Sequence, residues 1–287
     1  MTEPFLSDKA AGAYAPMQKK VETQSSSTEW YDAECRLGVA KLHKPGAPST
    51  AEALMTELAS NGIARALVYH ADAVGYDPAV GNRRLLDEIA DNPALEPCWV
   101  LLPHHTGEFP PPDIVVAQML AKGVRAARVF PRTFRFAFRL WNLGELLSAL
   151  AAHQIPLWVD FGHDGWSEES IDYEGLHEVC GTFPALPVVL VRPNIGSDRR
   201  VYALMAQHPN LHVETSYYTV HRGIELLCEM FGPERVLFGT GLPHRAAGPA
   251  VTALAYSLID DAARALVAGG NLARLLDLAG TSRSVSV

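Results

Sequence analysis

The chain has 287 residues, 48% of them apolar, with a formal net charge of −8 and a pI near 5.8. That length suits one large α/β domain, and that apolar share fills a substantial core. The acidic balance offers no basic face to nucleic acid or an anionic membrane surface, and no apolar run reaches the ~18 residues of a membrane span.

Residues 1–28 are polar, with serines at Ser25, Ser26 and Ser27, and are expected to form a flexible arm. Residues 1–20 lack the basic-then-apolar order of a secretory signal, so a cytoplasmic protein is expected. Cys35, Cys98, Cys180 and Cys228 are scattered, with no Cys-x-x-Cys pair, which fits free thiols in a reducing compartment.

From Glu29 onward, short apolar runs alternate with amphipathic stretches. The runs are Trp30–Cys35, Ala64–His70, Glu96–Leu102, Arg125–Phe130, Ile155–Asp160, Pro187–Arg192, Leu211–Thr215 and Arg235–Gly239. Most are apolar throughout, as parallel strands covered on both faces are. Arg125 and Arg128 interrupt the fourth. Between the runs, Ala51, Leu54, Met55 and Leu58 keep helical spacing behind a Ser49/Glu52 capping box. Leu143, Leu146, Leu147 and Leu150 repeat the pattern. So do Leu272, Leu275, Leu276 and Ala279, after a Gly269-Gly270 break and an Asn271 cap. Pro110-Pro111-Pro112 reads as a stiff entry to a helix. Eight strand–helix alternations predict a single (β/α)8 TIM barrel over 29–280, with 281–287 a disordered tail. No Gly-x-Gly-x-x-Gly follows the first run, so nothing supports a dinucleotide-binding open sheet.

In such barrels the working groups project from the C-terminal strand ends. Here those ends offer Glu34 and Arg36, His70 and Asp72, His104 and His105, Arg128 and Arg132, Asp160 and His163, Arg192 and Asn194, Thr215 and Tyr217, and Gly241 with His244. A polar ring closing otherwise apolar runs is a candidate pocket. Tyr217-Tyr218 would form a wall of it or cover the rim. Cys35 would need a neighbouring base to act as a nucleophile. Phe134, Phe136 and Phe138 alternate with Arg135 and Arg139, which suggests a short extended loop serving as a lid or as the contact of a homodimer.

Asp32 to Gly38, Val188–Gly196, Arg235–His244 and Gly270–Leu276 resemble, in that order, the first-strand signature, the sixth strand, the eighth strand with its loop, and the terminal helix of the amidohydrolase superfamily, in the amidohydrolase-related branch that includes decarboxylases and lactonases. The resemblance runs from about Tyr31 to Leu278 and implies a metal site at five positions. Those positions hold Glu34, Arg36, Asp160, Arg192 and Gly241 here. Arginine stays protonated and offers no lone pair, so it cannot ligate a cation. Glu34 and Asp160 would instead balance Arg36 and Arg192 without a metal.

The resemblance, so altered, implies a metal-independent hydrolase, lactonase-like, or a lyase acting on a small anionic or carboxylated substrate, with no cofactor. Glu34, Asp160, His163 and His244 would supply acid–base chemistry, and Arg36, Arg128, Arg192 and Tyr217 would hold substrate. Two alternatives stand beside it. One is a catalytically silent or ligand-sensing barrel with a salt-bridge plug. The other is a rebuilt metal site using Glu34, Asp160 and His163 or His244.

Overall fold

The computed structural model describes residues 29–41, 44–162, 171–193 and 196–280. Eight strands form one parallel sheet: β1 (Trp30–Leu37), β2 (Ile63–His70), β3 (Leu95–Val100), β4 (Ala126–Val129), β5 (Leu157–Val159), β6 (Val188–Leu190), β7 (Leu211–Glu214) and β8 (Val236–Leu237). They pair in sequence order. β8 returns to β1 through the Ala33 N–H donating to the Phe238 carbonyl (2.9 Å) and the Gly241 N–H donating to the Glu34 carbonyl (3.0 Å). The sheet is therefore a (β/α)8 barrel. Each of the eight expected runs overlaps a strand, with β1, β2 and β3 reaching one or two residues beyond theirs. The arm assigned to 1–28 and the tail assigned to 281–287 lie outside the described residues.

The strands alternate with α1 (Ala51–Ser60), α2 (Asp72–Gly75), α3 (Pro78–Ile89), α4 (Pro112–Ala121), α5 (Leu140–Ala152), α6 (Tyr173–Thr182), α7 (Asp198–Gln207), α8 (Gly223–Phe231), α9 (Ala247–Ala255), α10 (Asp261–Ala265) and α11 (Asn271–Leu278). Two expected caps are corrected. Thr50, not Ser49, caps α1: its hydroxyl accepts from the Ala53 N–H at 3.2 Å, while the Ser49 carbonyl is taken by the Gly38 N–H. Asn271 is not a cap either. α10 continues through a π turn (Leu266–Gly270) into α11, and the Asn271 amide donates to the Pro233 and Val236 carbonyls at 2.7 and 2.9 Å. Gly269 is needed for close approach, because a Cβ there would lie 2.6 Å from the Glu29 carbonyl oxygen. The segment after β4 also differs from expectation. It folds as turns, because Phe138 buries itself edge-on against Phe161 at 5.7 Å and Arg139 pairs with Asp172. Among the described residues no helix is long and apolar enough to cross a membrane.

Strand alternation sorts the core into two layers. Ala126, Trp158, Val189 and Leu237 face the barrel axis, together with Leu272, Leu275 and Leu276 of α11. Ala127, Leu157, Val159, Val188, Leu190 and Val213 face the helices. β1 changes parity midway. Tyr31 and Ala33 belong to the inner layer, but Cys35 and Leu37 to the outer one. A register shift between Asp32 and Cys35 inserts the extra residue. Asp32 pins that bulge by accepting the Glu34 N–H at 2.9 Å. The bulge is what turns Glu34 and Arg36 toward the barrel mouth.

Candidate active site

The deepest part of the mouth is an ion cluster built from four strands. Arg128 of β4 grips Glu34 of β1 with both arms of its fork, Nη1 to Oε2 at 2.5 Å and Nη2 to Oε1 at 2.8 Å. The same Nη2 donates to Asp160 Oδ2 at 2.5 Å. Arg192, just past β6, donates to that oxygen as well. The other Asp160 oxygen accepts the Gly162 N–H at 2.8 Å. Arg128 is 2% exposed and lies 4.1 Å from the Tyr69 ring centroid and 4.9 Å from that of Phe130. Burial alone would raise the Asp160 pKa, but Arg192 and Arg128 outweigh it and hold that carboxyl at about 2. Burial likewise opposes the charge of Arg128, and Glu34, Tyr69 and Asp160 overcome it. Every oxygen of the two carboxylates thus accepts at least one hydrogen bond, and guanidinium stands against both side chains. Arg192 reaches the cluster through a left-handed backbone (φ 59°), a conformation that costs roughly 1–3 kcal/mol for a side chain of this size.

The expected charge balance is corrected in one member. Arg128, not Arg36, partners Glu34. Among the described residues, the Arg36 side chain makes no hydrogen bond or ion pair, and its Nε is buried without a partner. Arg36 instead lines a cavity of about 490 Å³ above the cluster, together with Glu34, Tyr69, Arg192, Tyr217 and His244. The Tyr217 ring lies between two guanidinium groups, with Arg192 at 5.5 Å and Arg245 at 4.5 Å from its centroid. His244 sits exposed at the rim. Partial burial, with Arg36 and Arg192 adding to it, lowers its pKa below the ordinary 6.5, so it is a neutral base at pH 7.

A second buried layer was not anticipated from the sequence. Glu214, the last residue of β7, is fully buried. Its carboxyl meets the Ser216 N–H, and Ser216 Oγ lies 2.9 Å from Oε2. Burial and the nearby Glu34 charge push its pKa from 4.5 up to about 8. A Cβ at Gly239 would lie 2.1 Å from Glu214 Oε1 and 3.0 Å from Glu34 Cβ, so glycine at β8 makes room for both acids. Asp32 is also fully buried. It accepts from Thr240 N–H at 3.0 Å and Thr240 Oγ1 at 2.5 Å, while burial lifts its pKa to about 6. The missed signal was parity: with Leu211 and Val213 facing the helices, Glu214 must face the axis.

The remaining expected residues scatter. His163 and Asn194 lie outside the described residues. His70 turns away from the cup to Glu88, with Nε2 to Oε1 at 3.2 Å, and Gly38 (φ 79°) gives it space. His104 and His105 form a 3-10 turn, and His104 reaches Glu145 at 3.4 Å. Tyr218 leaves the cup and bonds to Asp198 and Tyr202. Cys35 faces the helices and donates to Asp32 at 3.1 Å; burial raises its pKa well above the usual thiol value, so it is no nucleophile.

The metal implied by the resemblance does not fit these residues. Two of the five positions are guanidinium, and both carboxylates are locked on Arg128. Gly241 is set by its backbone (φ 76°) rather than by crowding. Among the described residues, no group of three or more His, Cys, Asp or Glu could hold an ion.

Fold and cup together define a (β/α)8 barrel of the type whose working end is the C-terminal mouth. The Amidohydro_2 family model, described as Amidohydrolase, matches residues 47–278, and the chain belongs to that family. The match begins after β1, the strand carrying Glu34 and Arg36. No curated protein sequence matches the chain. An uncharacterized TIM-barrel protein from Bordetella bronchiseptica superposes with a TM-score of 0.69 at 19% identity, covering 88% of this chain and 99% of that one. 5-Carboxyvanillate decarboxylase from Sphingomonas paucimobilis gives 0.65 at 15%, covering 87% and 99%. Dihydroxybenzoic acid decarboxylase from a Polaromonas species, solved with bound manganese and 2-nitroresorcinol, gives 0.69 at 12%, covering 88% and 97%. At these identities the likeness is one of fold.

Proposed function

We propose that this protein is a metal-independent hydrolase, lactonase-like, or a related lyase, acting on a small carboxylated substrate in the cytoplasm. The observation that carries the reading is Arg36: a guanidinium with no partner among the described residues, facing a cavity of about 490 Å³. A free planar fork in a partly desolvated wall suits a carboxylate. Volumes of this order hold small organic ligands. Arg192 and Tyr217 flank the bound carboxylate or a developing oxyanion. His244, neutral at the rim, takes the proton of an attacking water. Asp160 and Glu34 hold Arg128 and Arg192 in place; with every oxygen engaged, they serve as positioning groups. Free cysteines, three of them buried, support the reducing compartment.

The test is a thermal-shift screen of lactones, small carboxylates and divalent cations, followed by turnover assays on the hits. Stabilisation of the wild type by a carboxylate, lost in Arg36→Ala, is the expected result. Stabilisation by a divalent cation alone, reversed by chelator, would return the rebuilt metal site to favour. A second reading has its own support: every oxygen of Glu34 and Asp160 is engaged, as a plug requires. Ligand stabilisation without turnover of any hit would select that reading, a binding barrel.

A further inference from the structure

Arg128 comes from β4, which contributes none of the five positions where the family resemblance implies metal ligands. Yet its guanidinium is held by Glu34 and Asp160, two of those five, and is enclosed by the Tyr69 and Phe130 rings. Arg192 joins the same sphere through Asp160. Two carboxylates converging on one buried cation, with aromatic faces around it, make a cation-coordination sphere. The difference from a metal site is that this cation is covalently attached to the chain.

We propose that Arg128 is a tethered resident cation, occupying an internal cation site that Glu34 and Asp160 form. It keeps the two carboxylates together and, through Asp160, fixes the direction of Arg192. The corollary concerns the site itself. Cutting back the side chain leaves a vacancy of net negative charge that accepts a free cation, with guanidinium the matching shape and a divalent ion the compact alternative. This holds whether or not the cavity above catalyses a reaction, because its readout is stability and not turnover.

The experiment compares thermal melts of the full chain, wild type, Arg128→Ala and Arg128→Met, at constant ionic strength. Additions are guanidinium chloride at about 10 mM, far below denaturing levels, sodium chloride as the control, and manganese with and without chelator. Arg128→Ala should melt on the order of 10 °C below wild type. Guanidinium should restore several degrees of that loss and leave wild type unmoved or slightly lowered. Manganese should stabilise Arg128→Ala and not wild type, with chelator reversing the effect. Arg128→Met, which fills the space without charge, should stay below wild type and gain less from either cation. If Arg128→Ala does not accumulate folded, it is refolded from urea with each cation: recovery only with guanidinium or manganese supports the site, and failure with both overturns it. Equal responses of wild type and Arg128→Ala to every cation also overturn it, as does an Arg128→Met that melts at or above wild type.

Discussion

Glu214→Gln should stabilise this protein, and by an amount that grows with pH. In the folded chain the carboxyl is buried beside Glu34 and titrates at about 8; unfolded, it titrates near 4.5. Between those values the folded state keeps a proton that the unfolded state releases. Folding stability therefore falls as pH rises through this window, by about 1.4 kcal/mol per unit. The loss begins near 4.5 and is complete near 8. At pH 7 it amounts to roughly 3 kcal/mol, and below pH 4.5 to almost nothing. Glutamine is neutral in both states and keeps the geometry: its oxygen accepts the Ser216 N–H and its amide donates to Ser216 Oγ. Urea melts of wild type and Glu214→Gln from pH 4 to 8 measure the difference directly. The two should coincide at pH 4 and diverge by about 2–3 kcal/mol at pH 7. A variant equal to or weaker than wild type at pH 7, with the same pH slope, would show that Glu214 is ionised in the fold and that the buried-acid argument is wrong.

Other outcomes follow from the same geometry. Asp160→Asn should lose about 3–5 kcal/mol, since it leaves Arg128 and Arg192 facing each other with one fewer carboxylate; chemical denaturation checks this. Because the folded Asp160 pKa lies near 2, below its ordinary 3.8, its contribution is present above 3.8 and fades as pH falls toward 2. Arg36→Ala should not destabilise the fold, since among the described residues no group pairs with it and its buried Nε goes unsatisfied, and it should abolish carboxylate-induced thermal shifts; melts with and without ligand check both. Gly239→Ala should cost about 1–3 kcal/mol, measured by melting, because its methyl would strike the Glu214 carboxyl.

The sequence by itself determined the architecture. Short, mostly continuous apolar runs alternating with helix-spaced stretches read as strands buried on both faces, and eight of them with helical crossovers close into a barrel. It also placed the working end, because polar residues such as Glu34, Asp160 and Arg192 stop those runs. Pairing inside the cup was decided only by the tertiary structure. Arg128 looked like an interruption of the fourth strand and proved to be the centre of the cluster, because a fork on β4 reaches both β1 and β5 across the closed barrel. Arg36 was released by that choice. The bulge at Asp32–Cys35 and the left-handed Arg192 each turned a side chain that simple alternation would have pointed elsewhere. Periodicity along a chain records which face a residue belongs to while the repeat is unbroken. Which charge meets which, across strands far apart in sequence, depends on distances that exist only once the barrel closes.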